Sequence, residues 1–309
     1  MTMASNDIRL AVTAPDGRTL DVLVSGPPDG LPLVLHSGTP SGLVAFGPMT
    51  RAAADRGLRT IRYARPGYGG STAQPGRRVA DAAPDVAAIL DHLGAGEFVT
   101  AGWSGGGPHT LACAARMPGR CLAAATIAAV APRDSEGLDW QAGMGQENIE
   151  EFAAAAAGET QVTAFIEAAA EYLREVTAGA VAAGLGDLAS AADIAALTDD
   201  YAEYLAASLR ASVRNGIAGW RDDDLAFVSG WGFTPEELGG QVPVAIWQGD
   251  QDRMVPFTHG QWLAAHIPGA RAHLLTGHGH LTLAKTMFPQ ILDDLAGLCG
   301  AAARAAGTG

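Results

Sequence analysis

The stretch Gly102-Trp103-Ser104-Gly105-Gly106 fits the pattern G-x-S-x-G and lies between a predicted strand and a predicted helix. The strand is the apolar run 98–102, and the helix covers residues 108–117. Such a sharp turn lifts a serine hydroxyl above the sheet, and glycines on either side avoid steric clashes. The helix N-terminus that follows favours negative charge at a reacting centre. The pattern therefore predicts that Ser104 is a nucleophile.

Strands and helices alternate on both sides of this turn. Apolar or alternating segments predict further strands over residues 8–12, 20–24, 31–35, 59–63, 122–130, 242–247 and 272–275. Helical patterns fall between or after them, over residues 44–56, 85–93, 259–266 and 282–298. The first two strands are separated by a Pro-Asp-Gly turn, which predicts an antiparallel hairpin. The order as a whole predicts an α/β fold with a mostly parallel central sheet flanked by helices.

The alternation breaks between about residues 132 and 240, where no segment has the pattern of a buried strand. This part is rich in alanine, the residue with the highest helix propensity, and it predicts helices over residues 148–157, 161–177 and 191–213. We therefore expect an all-helical insertion after the sixth strand. The expected domains are a core of residues 1–132 and 241–309 and an insertion of residues 133–240.

The composition limits the possible partners. The chain has 309 residues, of which 48% are hydrophobic, as in globular proteins. Its formal net charge is −13, so nucleic acids and anionic membranes are not expected partners. Three cysteines do not make a disulfide framework, and the start has no signal-peptide pattern. No apolar run reaches the roughly 20 residues of a membrane span. We expect a cytoplasmic protein with a small-molecule substrate, its oligomeric state left open.

A serine nucleophile needs a base, and that base needs a carboxylate to orient it. The last predicted strand is followed by His278 and His280, and the strand before it by Asp250 and Asp252. Asp134, after the sixth strand, is a third candidate for the acid. The order along the chain is serine, aspartate, histidine, which is the order expected with a nucleophile of this kind.

Two further stretches complete a set of motifs, His36-Ser37-Gly38-Thr39-Pro40 and Arg65-Pro66-Gly67-Tyr68-Gly69-Gly70-Ser71. With all of them, the chain resembles enzymes of the α/β-hydrolase fold. The resemblance covers about residues 8–298 except the insertion, which stands where that family carries its cap domain. It implies the fold and a hydrolytic activity, and it identifies no substrate.

The resemblance also orders the candidates for acid and base. In the family the acid usually stands just before an Arg-x-Val-Pro stretch, which implies Asp252 rather than Asp250. The family's histidine is typically followed by a hydrophobic residue, which implies His280 rather than His278.

Acyl transfer also needs two donors aimed at the developing oxyanion. One candidate is the backbone N–H of Gly105, directly after the nucleophile. The other comes from the loop after strand 31–35, where Gly38-Thr39-Pro40 aligns with the family's Gly-x-Pro and implies the N–H of Thr39. His36 is displaced by one residue from the family's usual His-Gly-x-Pro, so Gly38 is the alternative.

A cap over the active site selects substrate and excludes water. Candidate substrate-binding residues lie in the motifs and in the insertion, and those of the insertion fit a structural core equally well. These candidates are Gly38, Trp103, Trp140, Met144, Trp231, Phe233 and Met254. The run Arg221-Asp222-Asp223-Asp224 predicts a solvated helix start rather than a cation site. We expect no metal and no cofactor.

The residue type at the turn restricts the reaction. Related epoxide and haloalkane hydrolases use a carboxylate there, so Ser104 implies an acyl-serine intermediate. A carboxylic ester is the expected substrate. An aminopeptidase of the proline-iminopeptidase kind is the alternative, with Glu147, Glu150 or Glu151 holding an ammonium group. Cofactor-free perhydrolysis is a further alternative activity.

Two interpretations come from other classes of protein. A dinucleotide-binding enzyme is disfavoured, because the glycine-rich stretch does not read G-x-G-x-x-G. A non-catalytic protein that binds a small molecule on the same fold is the second, since a fold does not guarantee a function.

Overall fold

An eight-stranded sheet forms the centre of the computed structural model, which describes residues 7–306. The spatial order of the strands is β1-β2-β4-β3-β5-β6-β7-β8. The strand bounds are β1 Ile8–Thr13, β2 Thr19–Ser25, β3 Leu31–His36, β4 Leu58–Tyr63, β5 Phe98–Trp103, β6 Cys121–Ile127, β7 Val244–Gly249 and β8 Arg271–Leu275. β2 is antiparallel to both β1 and β4, and every other pairing is parallel. The predicted fold class is confirmed.

The described residues also form twelve α-helices. Their bounds are α1 Gly47–Ala54, α2 Ala82–His92, α3 Gly106–Arg116, α4 Gln146–Ala157, α5 Glu159–Leu173, α6 Ala178–Gly184, α7 Ala191–Ala196, α8 Asp199–Val213, α9 Ala218–Val228, α10 Phe257–His266, α11 His280–Thr286 and α12 Phe288–Ala306. The predicted core also includes residues 1–6 and 307–309, which lie outside the described residues. The signal-peptide expectation rests on the start of the chain, most of which also lies outside the described residues.

Helices cover the sheet on both faces, so successive side chains of an inner strand, which point in opposite directions, are buried. In β3, Val34 packs on one side, with Val86 of α2 and Leu111 of α3. Its neighbours Leu33 and Leu35 pack on the other side, with α1 and α12. This explains why the inner strands read as continuous apolar runs rather than as alternating ones.

Helices α4–α9 lie between β6 and β7, and residues 128–243, all of them described, contain no strand. Part of this insertion has an apolar cluster of Val162, Ile166 and Trp220, which packs on Tyr68 of the sheet domain. The expected helical insertion after the sixth strand is therefore present as secondary structure. The division into a core domain of residues 1–132 and 241–309 and a cap domain of residues 133–240 stays a prediction.

Several predicted elements have different ends, and three of them show the physical reason. The strand predicted over residues 122–130 stops at Ile127, because Ala128 has a positive φ of 52° and turns the chain. The helix predicted over 191–213 is interrupted after Ala196, where Leu197 has a non-helical ψ of 69°. The helix predicted over 282–298 begins earlier, at His280, and is divided in two next to Met287.

Within residues 7–306, none of the helices combines the length and the apolar character needed to cross a bilayer. A cytoplasmic location stays a prediction.

Candidate active site

Ser104 lies in a strained turn between β5 and α3. Its φ is +57°, a backbone conformation that is uncommon for any residue other than glycine. The turn is held by hydrogen bonds from Ser104 N to Ile127 O (2.8 Å) and from Gly107 N to Ser104 O (2.9 Å). A Cβ atom at Gly106 would lie 2.1 Å from the carbonyl oxygen of His36, so only glycine permits this close approach. The turn thus has the geometry that the G-x-S-x-G pattern predicts.

His280 and Asp252 form a buried pair. Nδ1 of His280 lies 2.8 Å from Oδ2 of Asp252. The carboxylate also accepts hydrogen bonds from the backbone N–H of Met254 (2.9 Å) and of Val255 (2.8 Å), and from Nε2 of Gln248 (3.1 Å). Because a carboxylate only accepts, this network assigns the ring proton to Nδ1 and leaves Nε2 as the basic nitrogen.

Ser104 and His280 line the same cavity. Among the described residues, no hydrogen bond joins the serine hydroxyl to the imidazole, which is common in enzymes without bound substrate. Trp103 also contacts His280. Its Nε1 donates to the backbone carbonyl oxygen of His280 over 3.2 Å, and the centroids of the two rings lie 5.2 Å apart. The serine, histidine and aspartate are therefore brought together at one edge of the sheet.

The alternative acids and base lie in less suitable places. Asp250 is exposed, and its carboxylate accepts the N–H of Gly277 at 2.8 Å, as a turn cap does. Asp134 is exposed and lines a separate surface groove. His278 is half-buried, with Nδ1 3.1 Å from the carbonyl oxygen of Thr276. None of the three lines the cavity of Ser104.

The two expected oxyanion donors are close together. A Cβ atom at Gly105 would lie 2.5 Å from Oγ1 of Thr39, so the loop after β3 touches the turn of the nucleophile. Among the described residues, neither the N–H of Thr39 nor that of Gly105 donates to another protein group. Free N–H groups beside a nucleophile are what stabilisation of an oxyanion requires.

The three aspartates of the run Arg221-Asp222-Asp223-Asp224 are buried, so the prediction of a solvated helix start is wrong. The three aspartates lie in the middle of α9 and are at most 3% exposed. The charge of Asp223 is tolerated there because the fold supplies partners from distant parts of the chain. Asp223 pairs with Arg65 and Arg77, each at 2.6 Å. Burial opposes ionisation of Asp223, but the two arginines outweigh it and hold the pKa of that carboxyl well below its usual value.

Arg65 connects Asp223 to the loop after β3. Its Nη1 donates to the carbonyl oxygen of Ser37 at 2.6 Å, and its Nη2 donates to that of Gly38 at 2.9 Å. Oγ1 of Thr39 donates to Asp223 at 2.8 Å. The loop that offers the Thr39 N–H is thus held by an ion pair whose carboxylate comes from the insertion.

Glu151 and Asp224 form a second buried acidic pair. Burial raises the pKa of both carboxyls, and each is also raised by a neighbouring acid. Trp220 Nε1 donates to Oε1 of Glu151 at 2.5 Å, which favours the ionised form of Glu151. Among the described residues, Asp224 receives no hydrogen bond from a donor.

The cavity has a volume of about 330 Å³. Of the predicted substrate-binding residues, Gly38, Trp103 and Met254 line it, and so does Thr39. Most of the remaining wall is apolar and comes from the insertion, through Leu173, Val176, Val181, Leu185, Leu188, Leu205 and Leu209. The polar lining residues include Ser104, His280, Asn148, Glu147 and Glu151.

Trp140, Met144, Trp231 and Phe233 do not line this cavity, which corrects their prediction as substrate-binding residues. All four are buried in the main core. Trp140 donates from Nε1 to the carbonyl oxygen of Ala131 at 2.7 Å and packs edge-on against Phe152. Their size and apolar character are used to fill the junction between the sheet and the insertion.

Asp193 is a residue near the candidate site that the sequence did not indicate. It lies in α7 and accepts the backbone N–H groups of His280, Leu281 and Thr282. The stretch from Ser190 to Asp193 fits a capping box, which marks the start of α7. That local signal is readable in the sequence, but the contact with α11 is not.

Within the described residues, no three His, Cys, Asp or Glu side chains are grouped as a metal site requires.

The sequence of this chain matches a family model described as alpha/beta hydrolase fold over residues 32–285. A non-heme chloroperoxidase of Streptomyces lividans is 36% identical over 124 residues, which are 39% of this chain and 45% of that protein. An uncharacterised hydrolase of Bacillus subtilis is 32% identical over 127 residues, which are 39% of this chain and 43% of that protein. The matches thus span less than half the length of these curated relatives.

The chain is also similar to solved structures. An esterase from Exiguobacterium antarcticum superposes with a TM-score of 0.68 and 17% identity, over 95% of this chain and all of that one. At this level of identity the likeness concerns the fold.

Proposed function

Because the chain belongs to the α/β-hydrolase fold family, we propose that it is a serine hydrolase that cleaves a small carboxylic ester through an acyl-serine intermediate. The proposal rests on the 2.8 Å contact between Nδ1 of His280 and Oδ2 of Asp252, beside the cavity that Ser104 and His280 line. A serine at a strained turn and a buried histidine–carboxylate pair are the parts that acyl transfer needs.

In this mechanism, Oγ of Ser104 attacks the ester carbonyl while Nε2 of His280 takes its proton. The N–H groups of Thr39 and Gly105 stabilise the oxyanion, and Asp252 stabilises the imidazolium through Nδ1. His280 then gives the proton to the leaving alcohol, which departs. A water molecule, activated by the same nitrogen, hydrolyses the acyl-serine and releases the acid.

The lining of the cavity supports an apolar substrate of modest size. Its wall from the insertion is mostly leucine and valine, and none of the lining residues is Lys or Arg. A substrate with a free carboxylate would find no cation there and would face Glu147 and Glu151. We therefore propose a neutral ester with an apolar acyl or alcohol group.

A covalent serine probe tests the nucleophile. A fluorophosphonate is expected to label the protein and to block hydrolysis of p-nitrophenyl acyl esters, and both effects should disappear in Ser104→Ala. Ser41 lines the same cavity, so Ser41→Ala is the matched control and should keep the label. Labelling that persists in Ser104→Ala would overturn the assignment. A wild-type protein that neither labels nor turns over esters would favour a non-catalytic binding function.

Two carboxylates favour an aminopeptidase as a second candidate. Glu151 is buried and Glu147 is exposed, and both line the cavity, where they are suited to hold the ammonium of a peptide N-terminus. Rates on prolyl anilides and on p-nitrophenyl esters separate the two candidates. If the anilide is the better substrate, Glu151→Gln should raise its KM, whereas Glu150→Gln, at an exposed residue, should not.

The partial similarity to a non-heme chloroperoxidase favours one additional assay. An acyl-serine attacked by hydrogen peroxide instead of water gives a peracid and the free serine. Peracid formation from an acetate ester and hydrogen peroxide, absent in Ser104→Ala, would add perhydrolysis to the proposed activity.

A further inference from the structure

The side chain of Asp193 is fully buried and lies at the start of α11, the helix whose first residue is His280. Its Oδ2 accepts the N–H of His280 at 3.2 Å. Its Oδ1 accepts the N–H of Leu281 at 2.8 Å and that of Thr282 at 2.9 Å. One carboxylate thus receives three consecutive backbone donors of a helix that is not its own.

The first N–H groups of a helix have no partner within that helix and carry partial positive charge. A helix usually satisfies them with the side chain of its own N-cap residue. The N-cap of α11 is Gly279, which has no side chain to offer. Asp193, a residue of the insertion, therefore caps the N-terminus of α11 in place of a local side chain.

The approach of Asp193 is possible because residue 279 is glycine. A Cβ atom at this position would lie 2.2 Å from Oδ2 of Asp193 and 2.3 Å from Oγ of Ser190. Ser190 in turn donates from Oγ to Asp193 at 2.9 Å. The carboxylate is fixed by its own helix and cannot shift without releasing the start of α11.

We propose that Asp193 is a positioning residue for the catalytic base, through which the insertion sets the orientation of His280 toward Asp252 and Ser104. The expected effect on kcat rests on the proposed function. The expected effect on the orientation of His280 rests on the backbone contacts alone. The imidazole of His280 is attached to the backbone that Asp193 holds, so a loss of these hydrogen bonds displaces the ring. A displacement of about 1 Å at a reacting group costs about 10²-fold in rate.

A second contact between the same two helices provides the matched control. Lys285, near the other end of α11, donates from Nζ to the carbonyl oxygen of Ala196 at 2.7 Å. Lys285→Ala loosens the attachment of α7 to α11 without touching the N–H of His280. A residue that only stabilises the fold should behave as Lys285 does.

The kinetic test compares Asp193→Ala, Asp193→Asn and Lys285→Ala on a p-nitrophenyl ester. We expect kcat to fall about 10²-fold in Asp193→Ala, with KM little changed. Asp193→Asn, which keeps an acceptor oxygen but forms weaker bonds, should lose only about tenfold. Gly279→Ala, which forces Asp193 away without removing it, should resemble Asp193→Ala. Lys285→Ala should keep the wild-type kcat.

A spectroscopic test does not depend on turnover. The proton between Nδ1 of His280 and Asp252 should give a downfield ¹H NMR signal that is absent in His280→Gln. We expect this signal to be lost or broadened in Asp193→Ala and retained in Lys285→Ala. Unchanged kcat in both Asp193 variants, or an unchanged signal in Asp193→Ala, would overturn the inference. A wild-type protein that shows the signal but neither esterase activity nor serine labelling would refute the proposed function alone.

Discussion

The carboxylate of Asp223 lies 2.6 Å from Nη2 of Arg65, and both side chains are buried. Asp223 belongs to α9 of the insertion, whereas Arg65 follows β4 and holds the backbone of the loop that carries Thr39. The two ends of this ion pair therefore connect the insertion with an expected donor of the oxyanion hole. The stability of the fold and the geometry of the candidate site depend on the same contact.

Breaking this pair should be costly. Asp223→Asn leaves Arg65 and Arg77 without a counter-charge in the interior, so we expect the free energy of unfolding to fall by about 3–5 kcal/mol. Denaturation in urea measures this change. Asp293→Asn is the matched control, because Asp293 pairs with Arg56 at the exposed surface and its loss should change stability far less. Equal losses in the two variants would contradict the role assigned to the buried pair.

The identity of the acid can be tested by two neighbouring substitutions. Asp252→Asn should lower kcat by up to about 10⁴-fold, because the neutral amide no longer holds the His280 tautomer or stabilises the imidazolium. Asp250→Asn changes an exposed turn cap and should leave kcat near the wild-type value. Steady-state rates on a p-nitrophenyl ester give both numbers. A large loss in Asp250→Asn with none in Asp252→Asn would reverse the assignment.

The contact between Gly105 and Thr39 gives a test of the oxyanion donors. Gly105→Ala places a methyl group about 2.5 Å from Oγ1 of Thr39 and pushes the loop away from the nucleophile. The loss of one donor costs about 10²- to 10³-fold in kcat. Gly96→Ala, where nothing lies within 4 Å of the new atom, should have no effect on kcat. If Gly105→Ala were fully active, Thr39 would not be a donor.

The stability of the protein should depend on pH through His259. This residue is buried; burial lowers its pKa to about 4, although its hydrogen bond to the carbonyl oxygen of Trp140 opposes that shift. The unfolded chain, with a histidine pKa near 6.5, binds this proton more readily than the folded one. The contribution of His259 is therefore complete above pH 6.5 and is lost as the pH falls toward 4, in total about 3 kcal/mol.

Urea unfolding at several pH values checks this expectation. His259→Gln should lose less stability than the wild type between pH 6.5 and 4, whereas His92→Gln, at an exposed residue, should follow the wild type. Parallel curves for wild type and His259→Gln would show that the buried histidine is not the source of the dependence.

The sequence predicted the parts of the molecule that depend on local patterns. The order of strands and helices follows from the spacing of apolar residues, and the turn at Ser104 follows from its glycines. The position of His280 and Asp252 at one edge of the sheet follows from their place after parallel strands. These features need no knowledge of which distant side chains meet.

The parts that were missed depend on distant contacts. A run of aspartates in a helix usually faces water, and only the arrival of Arg65 and Arg77 makes burial of Asp223 favourable. Trp140 and Trp231 were candidates for the pocket because size and apolarity do not distinguish a pocket wall from a core. Asp193 could be recognised as part of a helix cap, but its reach to His280 depends on how the insertion packs.

The chain leaves the sheet at Ile127 and returns to it at Val244, and these two neighbouring strands pair with Thr126 opposite Ile246. Closing so long a loop is entropically expensive and tends to make a folding step slow. Because synthesis runs from the N-terminus, a chain that emerges from the ribosome carries β1–β6 and Ser104 first. The strands that lead to Asp252 and His280 are made only after the insertion. Until the insertion closes, the free side of β6 is an open sheet edge, where pairing with another chain competes with productive folding.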